Sequence, residues 1–133
     1  SVITEFLDFV LAELVDPIDP GFVFDFQAST LATPVAAEFL DTVVAESLKV
    51  PAAVWQAALT GLAASDTTAE LSLIDAPTLI VWGDQDTIFF ESDQQALDAG
   101  IPDSTRLTYE VIGHGVHWEE PGRFTDDLAD FVN

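Results

Sequence analysis

Residues 77–86 read Pro77-Thr78-Leu79-Ile80-Val81-Trp82-Gly83-Asp84-Gln85-Asp86. The first six form a short, largely apolar run stopped by Gly83, the pattern of a strand buried on both faces of a parallel sheet. A second strand fits Leu107–Ile112, reached through a helix over Glu91–Ala99 that Gly100 and Pro102 terminate. Strand, helix and strand make a right-handed parallel crossover, so both strands end at the same edge of the sheet. A last helix is expected to start at Pro121 and to bury Phe124, Leu128 and Phe131. These elements make the chain α/β.

Upstream the periodicity is helical. Residues 4–15 space Phe6, Phe9, Val10 and Leu14 along one face, with Glu5, Asp8 and Glu13 between them. Asp16-Pro17-Ile18-Asp19-Pro20-Gly21 is expected to stop that helix in a turn. Thr33 before Pro34 reads as an N-cap, which predicts a helix over 34–48 lined on one side by Ala36, Phe39 and Val43. Pro51 starts another, with Trp55, Leu59 and Leu62 on one face. The polar stretch Ala64-Ser65-Asp66-Thr67-Thr68 is the expected boundary, dividing a mainly helical segment, 1–65, from an α/β segment, 66–133.

In open α/β sheets, functional groups collect on the loops that leave the C-terminal ends of the strands. Here one such loop carries Asp84 and Asp86, and the other, Gly113-His114-Gly115-Val116-His117-Trp118-Glu119-Glu120-Pro121, carries two histidines. Taken singly, an Asp in a post-strand loop is commonplace, and a histidine between glycines is more often a turn residue than a catalyst. An acid after one strand and a histidine after its neighbour can nevertheless meet in space, as the acid and base of a triad do.

PTLIVWGDQD followed by GHGVHWEEPGRF resembles the C-terminal part of the α/β-hydrolase fold superfamily. Its members carry the catalytic acid in a PxLxxWGxxD segment and the catalytic histidine in a GHxxxWExP segment. The resemblance implies a partial α/β-hydrolase fold: parallel strands with flanking helices (66–133), preceded by a mainly helical cap (1–65). It implies that Asp86 is the triad acid and His114 the base. Imidazole suits a base near neutral pH, and a buried carboxylate on its second nitrogen fixes the tautomer. Asp84 is the competing acid, although its position early in the loop suits hydrogen bonds to backbone. His117 is the competing histidine, expected at the rim beside Trp118.

The family's nucleophile sits on a strand-to-helix elbow, GxSxG in esterases and lipases, upstream of the cap. No GxSxG occurs in these 133 residues, and no serine is flanked by glycines. The expectation is therefore a C-terminal portion of a serine-type hydrolase of esters or related carbonyl compounds, supplying Asp and His without the nucleophile. Epoxide hydrolases, dehalogenases and cofactor-free haloperoxidases share the same acid and histidine. The alternative is a truncated, non-catalytic domain that acts by self-association or ligand binding. A chain that starts at Ser1 and contains no Met reads as processed, trimmed or a fragment. Two strands alone would leave an apolar edge, so either an N-terminal half or a second copy, giving a homodimer, is the expected partner.

Trp55, Phe89 and Phe90 are candidates to line an acyl or alcohol pocket for a small ester-like substrate, with core packing as the competing explanation. No metal or cofactor is expected. Asp84 and Asp86 fail as a calcium loop because Ile88 takes the next ligand position and Phe89 the glycine position. His114, His117 and Glu120 lack the HExxH spacing.

Composition narrows the partners. The chain has 24 Asp+Glu against 3 Lys+Arg, a formal charge of −21, with 49% hydrophobic residues and no Cys. Lys49, Arg106 and Arg123 are too few and too scattered to neutralise nucleic-acid phosphates or an anionic membrane surface. No leader pattern opens the sequence, so it reads as a soluble, cytoplasmic protein. Carboxylates coating a packed domain repel one another at low ionic strength, and the Debye length falls from about 10 Å at 0.1 M salt to about 3 Å at 1 M. Salt adaptation is the expected consequence. The melting temperature should rise from low to molar KCl, and a flat or falling trend would count against it.

Overall fold

The computed structural model describes residues 10–12 and 14–133. The chain forms two compact units. The first comprises the chain through Ala28 together with Ala36–Asp66, and the second comprises Ser29–Val35 and Thr67–Asn133.

In the first unit residues 10–12 are helical; residues 4–9 and 13 of the helix expected there lie outside the described residues. Three further helices follow, α1 (Pro20–Ser29), α2 (Ala37–Ser47) and α3 (Ala52–Ala64). Helix α1 corrects the expected turn at 16–21. Pro20 does not interrupt a helix but begins one, because a first-turn proline lacks only an N–H that would have no partner anyway. Asp19 caps it, its Oδ1 accepting from the backbone N–H of Gly21 at 2.6 Å and of Phe22 at 3.2 Å. Asp16 does the same for α3, accepting from Ala52 N–H at 3.1 Å.

The helix predicted from Pro34 starts three residues later, and Ala36, not Thr33, occupies its N-cap. Its inward face is Leu40, Val44 and Leu48, whereas Ala36 and Phe39 are exposed. On α3 the inward residues are Ala52, Trp55 and Leu59, and Leu62 is exposed. On α2 the difference is a rotation of the helix about its axis, which apolar spacing alone does not fix when further apolar residues flank the stripe; on α3 the inward face is the expected one and only its last residue, Leu62, is exposed. The core they close on contains Val10, Leu14, Ile18 and Val23. Phe26 meets Trp55 edge to face at 5.7 Å, and Gln56 Nε2 donates to the Leu14 carbonyl at 2.9 Å.

The second unit holds a 3-10 helix (Thr68–Leu73), β1 (Thr78–Gly83), α4 (Glu91–Gly100), β2 (Ser104–Tyr109), the short α5 (Val116–Glu119) and α6 (Pro121–Val132). Strands β1 and β2 pair in parallel, in register from Thr78 opposite Ser104 to Gly83 opposite Tyr109. The second strand thus lies three residues earlier than expected. The rest of the expected strand, Glu110–Ile112, instead forms an irregular exit beside the loop after β1: Asp84 N–H donates to the carbonyl of Tyr109, the last residue of β2, and Gln85 N–H to the Ile112 carbonyl, both at 2.9 Å. Helix α4 begins where Asp93 accepts from Phe90 N–H at 2.7 Å and ends with Gly100 packed against the Leu71 side chain, whose Cδ1 would lie 2.7 Å from a Cβ there.

Helix α6 forms where expected but buries none of its three apolar residues fully. Phe124 and Phe131 are half-buried and Leu128 is exposed. Of the three, only Phe124 packs on the cluster of Tyr109, Ile112 and Val116 among the described residues. The helix is held as much by polar contacts to Tyr109, whose phenol donates to Asp127 Oδ2 while Arg123 lies 3.6 Å over its ring.

Tyr109 is fully buried, and burial, followed by the hydrogen bond to Asp127, pushes its phenol up to about 12. As the chain's one tyrosine, it can be followed alone by phenolate absorbance. Because the folded value lies above the ordinary 10.0, the associated stability is complete below pH 10.0 and is lost as pH rises toward about 12. The titration midpoint should fall near 12, and Asp127→Asn should lower it. A midpoint at the ordinary value would contradict the buried geometry.

Candidate active site

The exit loops of β1 and β2 touch at Gly83. A Cβ there would lie 2.3 Å from the carbonyl oxygens of both Ile112 and Gly113, so only glycine allows the approach. This contact brings two segments that are distant in sequence to one place.

Asp84 and Asp86 have separate tasks. Asp84 Oδ1 accepts from Val111 N–H at 2.6 Å, pinning the turn in which Val111 takes a φ of 65°. A β-branched residue is unfavourable in that left-handed region, so the turn needs such an anchor. Asp86 lies deeper, with its side chain 5% exposed. Its Oδ1 accepts from the backbone N–H of Ile88 at 2.8 Å and of Phe89 at 3.1 Å, while Oδ2 stands 2.9 Å from His114 Nδ1.

His114 is oriented by that contact. An ionised carboxylate only accepts, so Nδ1 carries the proton and donates, which leaves Nε2 of the neutral ring with its lone pair. The His114 side chain is 41% exposed, and among the described residues Nε2 makes no hydrogen bond. Nor does Asp86 pair with any other cation among those residues. The arrangement can take a proton at Nε2 while the buried carboxylate balances the resulting imidazolium.

Of the other candidates, Phe89 packs its ring against His114, with centroids 5.7 Å apart, and Trp82 Nε1 holds the Phe89 carbonyl at 2.9 Å. Phe90 is exposed, and its backbone serves the start of α4. Trp55 belongs to the core of the first unit. His117 is exposed and packs against Trp118 and Phe124. Among the described residues no group of three or more His, Cys, Asp or Glu is placed to hold a metal ion.

The sequence reading missed Glu119 and misassigned Thr33. Glu119 Oε1 accepts from Gly113 N–H at 2.9 Å, and Oε2 accepts from Thr33 N–H at 2.7 Å, Thr33 Oγ1 at 2.9 Å and Ala32 N–H at 3.1 Å. The hydroxyl expected to cap a helix is spent on this carboxylate. One signal was available: glycines on both sides of His114 suggest that other backbone comes close there.

Comparison with known proteins follows the same lines. The family profile for the alpha/beta hydrolase fold matches residues 8–121. A 2-hydroxy-6-oxononadienedioate/2-hydroxy-6-oxononatrienedioate hydrolase of Cupriavidus pinatubonensis is 29% identical over 110 residues, 83% of this chain and 38% of that protein. A second hydrolase of that name, from Pseudomonas putida, is 37% identical over 67 residues, 50% of this chain and 23% of that protein. The chain therefore spans less than two fifths of the length of these curated relatives. An esterase from Exiguobacterium antarcticum superimposes with a TM-score of 0.87 at 20% identity, over 96% of this chain and 47% of the esterase. No helix among the described residues is long and apolar enough to cross a membrane. With the family profile matching residues 8–121 of the chain and two adjacent parallel strands delivering an acid and a histidine to one end of the sheet, the chain belongs to the α/β hydrolase fold family.

Proposed function

We propose that the chain supplies the acid and base of a serine-type hydrolase acting on carboxylic esters or related carbonyl compounds. The contact between buried Asp86 and His114 Nδ1, 2.9 Å long, carries this reading. His114 Nε2 takes the proton of an attacking hydroxyl as it adds to the carbonyl, and Asp86 stabilises the imidazolium. The same nitrogen then protonates the leaving group. The hydroxyl belongs to the part of the family's fold that this chain does not span. Phe89, packed on His114, and exposed Phe90 offer apolar surface to the acyl or alcohol group.

The relatives include an esterase and hydrolases named for dicarboxylate compounds. The net charge of −21 supports salt adaptation.

On the polypeptide as its gene encodes it, in molar KCl, His114→Ala should lower kcat for a short-chain nitrophenyl ester by about 10²–10⁴-fold. His117→Ala should leave kcat within a few fold. Full activity in His114→Ala, or an equal loss in His117→Ala, would sink the assignment.

A second reading, a hydrolase-like domain acting by self-association, is favoured by the two-stranded sheet, whose outer edges are unpaired among the described residues. It requires twice the mass of the single chain by light scattering in molar KCl, together with no ester hydrolysis. A monomer whose turnover depends on His114 would remove it.

A further inference from the structure

We infer that Glu119 is a positioning residue for His114, clamping the backbone of the histidine loop to the Ser29–Val35 segment. The inference rests on the reading of His114 as the base. Three features of the second unit converge on it. The first is the set of four hydrogen bonds that the Glu119 carboxylate accepts, one from Gly113 on the histidine loop and three from Ala32 and Thr33. The second is independent of Glu119: His114 N–H donates to the Thr30 carbonyl at 2.8 Å. The third is steric. A Cβ on Gly113 would stand 2.6 Å from Ala32 N and 2.7 Å from the Thr30 carbonyl oxygen, and one on Gly115 would stand 2.6 Å from Leu31 Cδ2. Gly113 thus lets the backbone of residues 30–32 lie against the loop, and Gly115 leaves space for the Leu31 side chain.

The chemistry of the clamp specifies a carboxylate. An ionised carboxylate accepts at both oxygens and has no donor, which suits donors on both sides, one at Oε1 from Gly113 and three clustered at Oε2 from Ala32 and Thr33. Glutamine replaces one oxygen with an NH₂ group, and whichever way the amide is turned a donor faces a donor. Aspartate is one methylene too short to reach both segments. His114 is consequently fixed at two ends: Asp86 holds the ring, and the clamp holds the residue before it.

Without the clamp the Asp86 contact can persist while the backbone that carries the ring drifts, and a displacement of about 1 Å in a reacting group costs on the order of 10²-fold in rate. Glu119→Gln should therefore lower kcat with KM little changed. It should also accelerate amide hydrogen exchange at Gly113, Ala32 and Thr33, leaving exchange in β1 and β2 as it was. Thr33→Val removes only the Oγ1 donor and should shift both readouts in the same direction by less, which keeps the test open if Glu119→Gln fails to fold. Faster exchange at both segments with a fall in kcat supports the inference. Unchanged exchange overturns it, as does faster exchange with wild-type kcat. If His114→Ala retains turnover, the reading of the base fails and the positioning role fails with it, whereas the exchange measurement still reports whether Glu119 joins the two segments.

Discussion

Close approach of backbone at the ends of two parallel strands governs where everything else in the second unit lies. Gly83 touches the Ile112–Gly113 backbone at a distance no side chain could share. The register that sets Gly83 opposite Tyr109 makes both strands finish at one level. Their exit loops then pair irregularly, which curtails β2 and turns the chain sharply at Val111. Asp86 and His114 meet as a result, although 27 residues separate them in the chain.

Repulsion among the carboxylates shapes the chemistry as strongly. With only three Lys and Arg, few of the 24 acids can be neutralised by cations. The structure uses several as acceptors for backbone N–H groups instead. Asp16 and Asp19 satisfy the starts of α3 and α1, and Asp93 that of α4. Asp84, Asp86 and Glu119 fix the loops around the site. Charge-assisted bonds of this kind are stronger than neutral ones and keep a fixed geometry. An exposed ion pair such as that of Lys49 with Glu46 contributes little by comparison.

The features that could be read in the sequence depend on neighbours along the chain. Pro121 starting α6 and the apolar run 78–82 forming a strand are local consequences of φ restriction, a missing donor and burial. The errors arose where a local signal had two outcomes. Pro20 and Gly21 look like a helix stop, yet with Asp19 ahead of them they open one. Thr33 before Pro34 looks like a cap, but its hydroxyl finds a stronger acceptor 86 residues away in Glu119.

By itself the sequence determined the strand, helix, strand and helix succession of the α/β segment, the acidic composition, and two aspartates and two histidines on the loops after the strands as candidates, because strand, turn and charge patterns are written within a few residues of one another. Tertiary structure decided which acid faces the histidine. Asp84 and Asp86 differ by two positions in one loop, and only the presence of Val111 N–H beside one and the imidazole beside the other separates their roles. It also decided what Glu119 does, since a carboxylate's partners are set by the donors that folding brings to it and not by its neighbours in the chain.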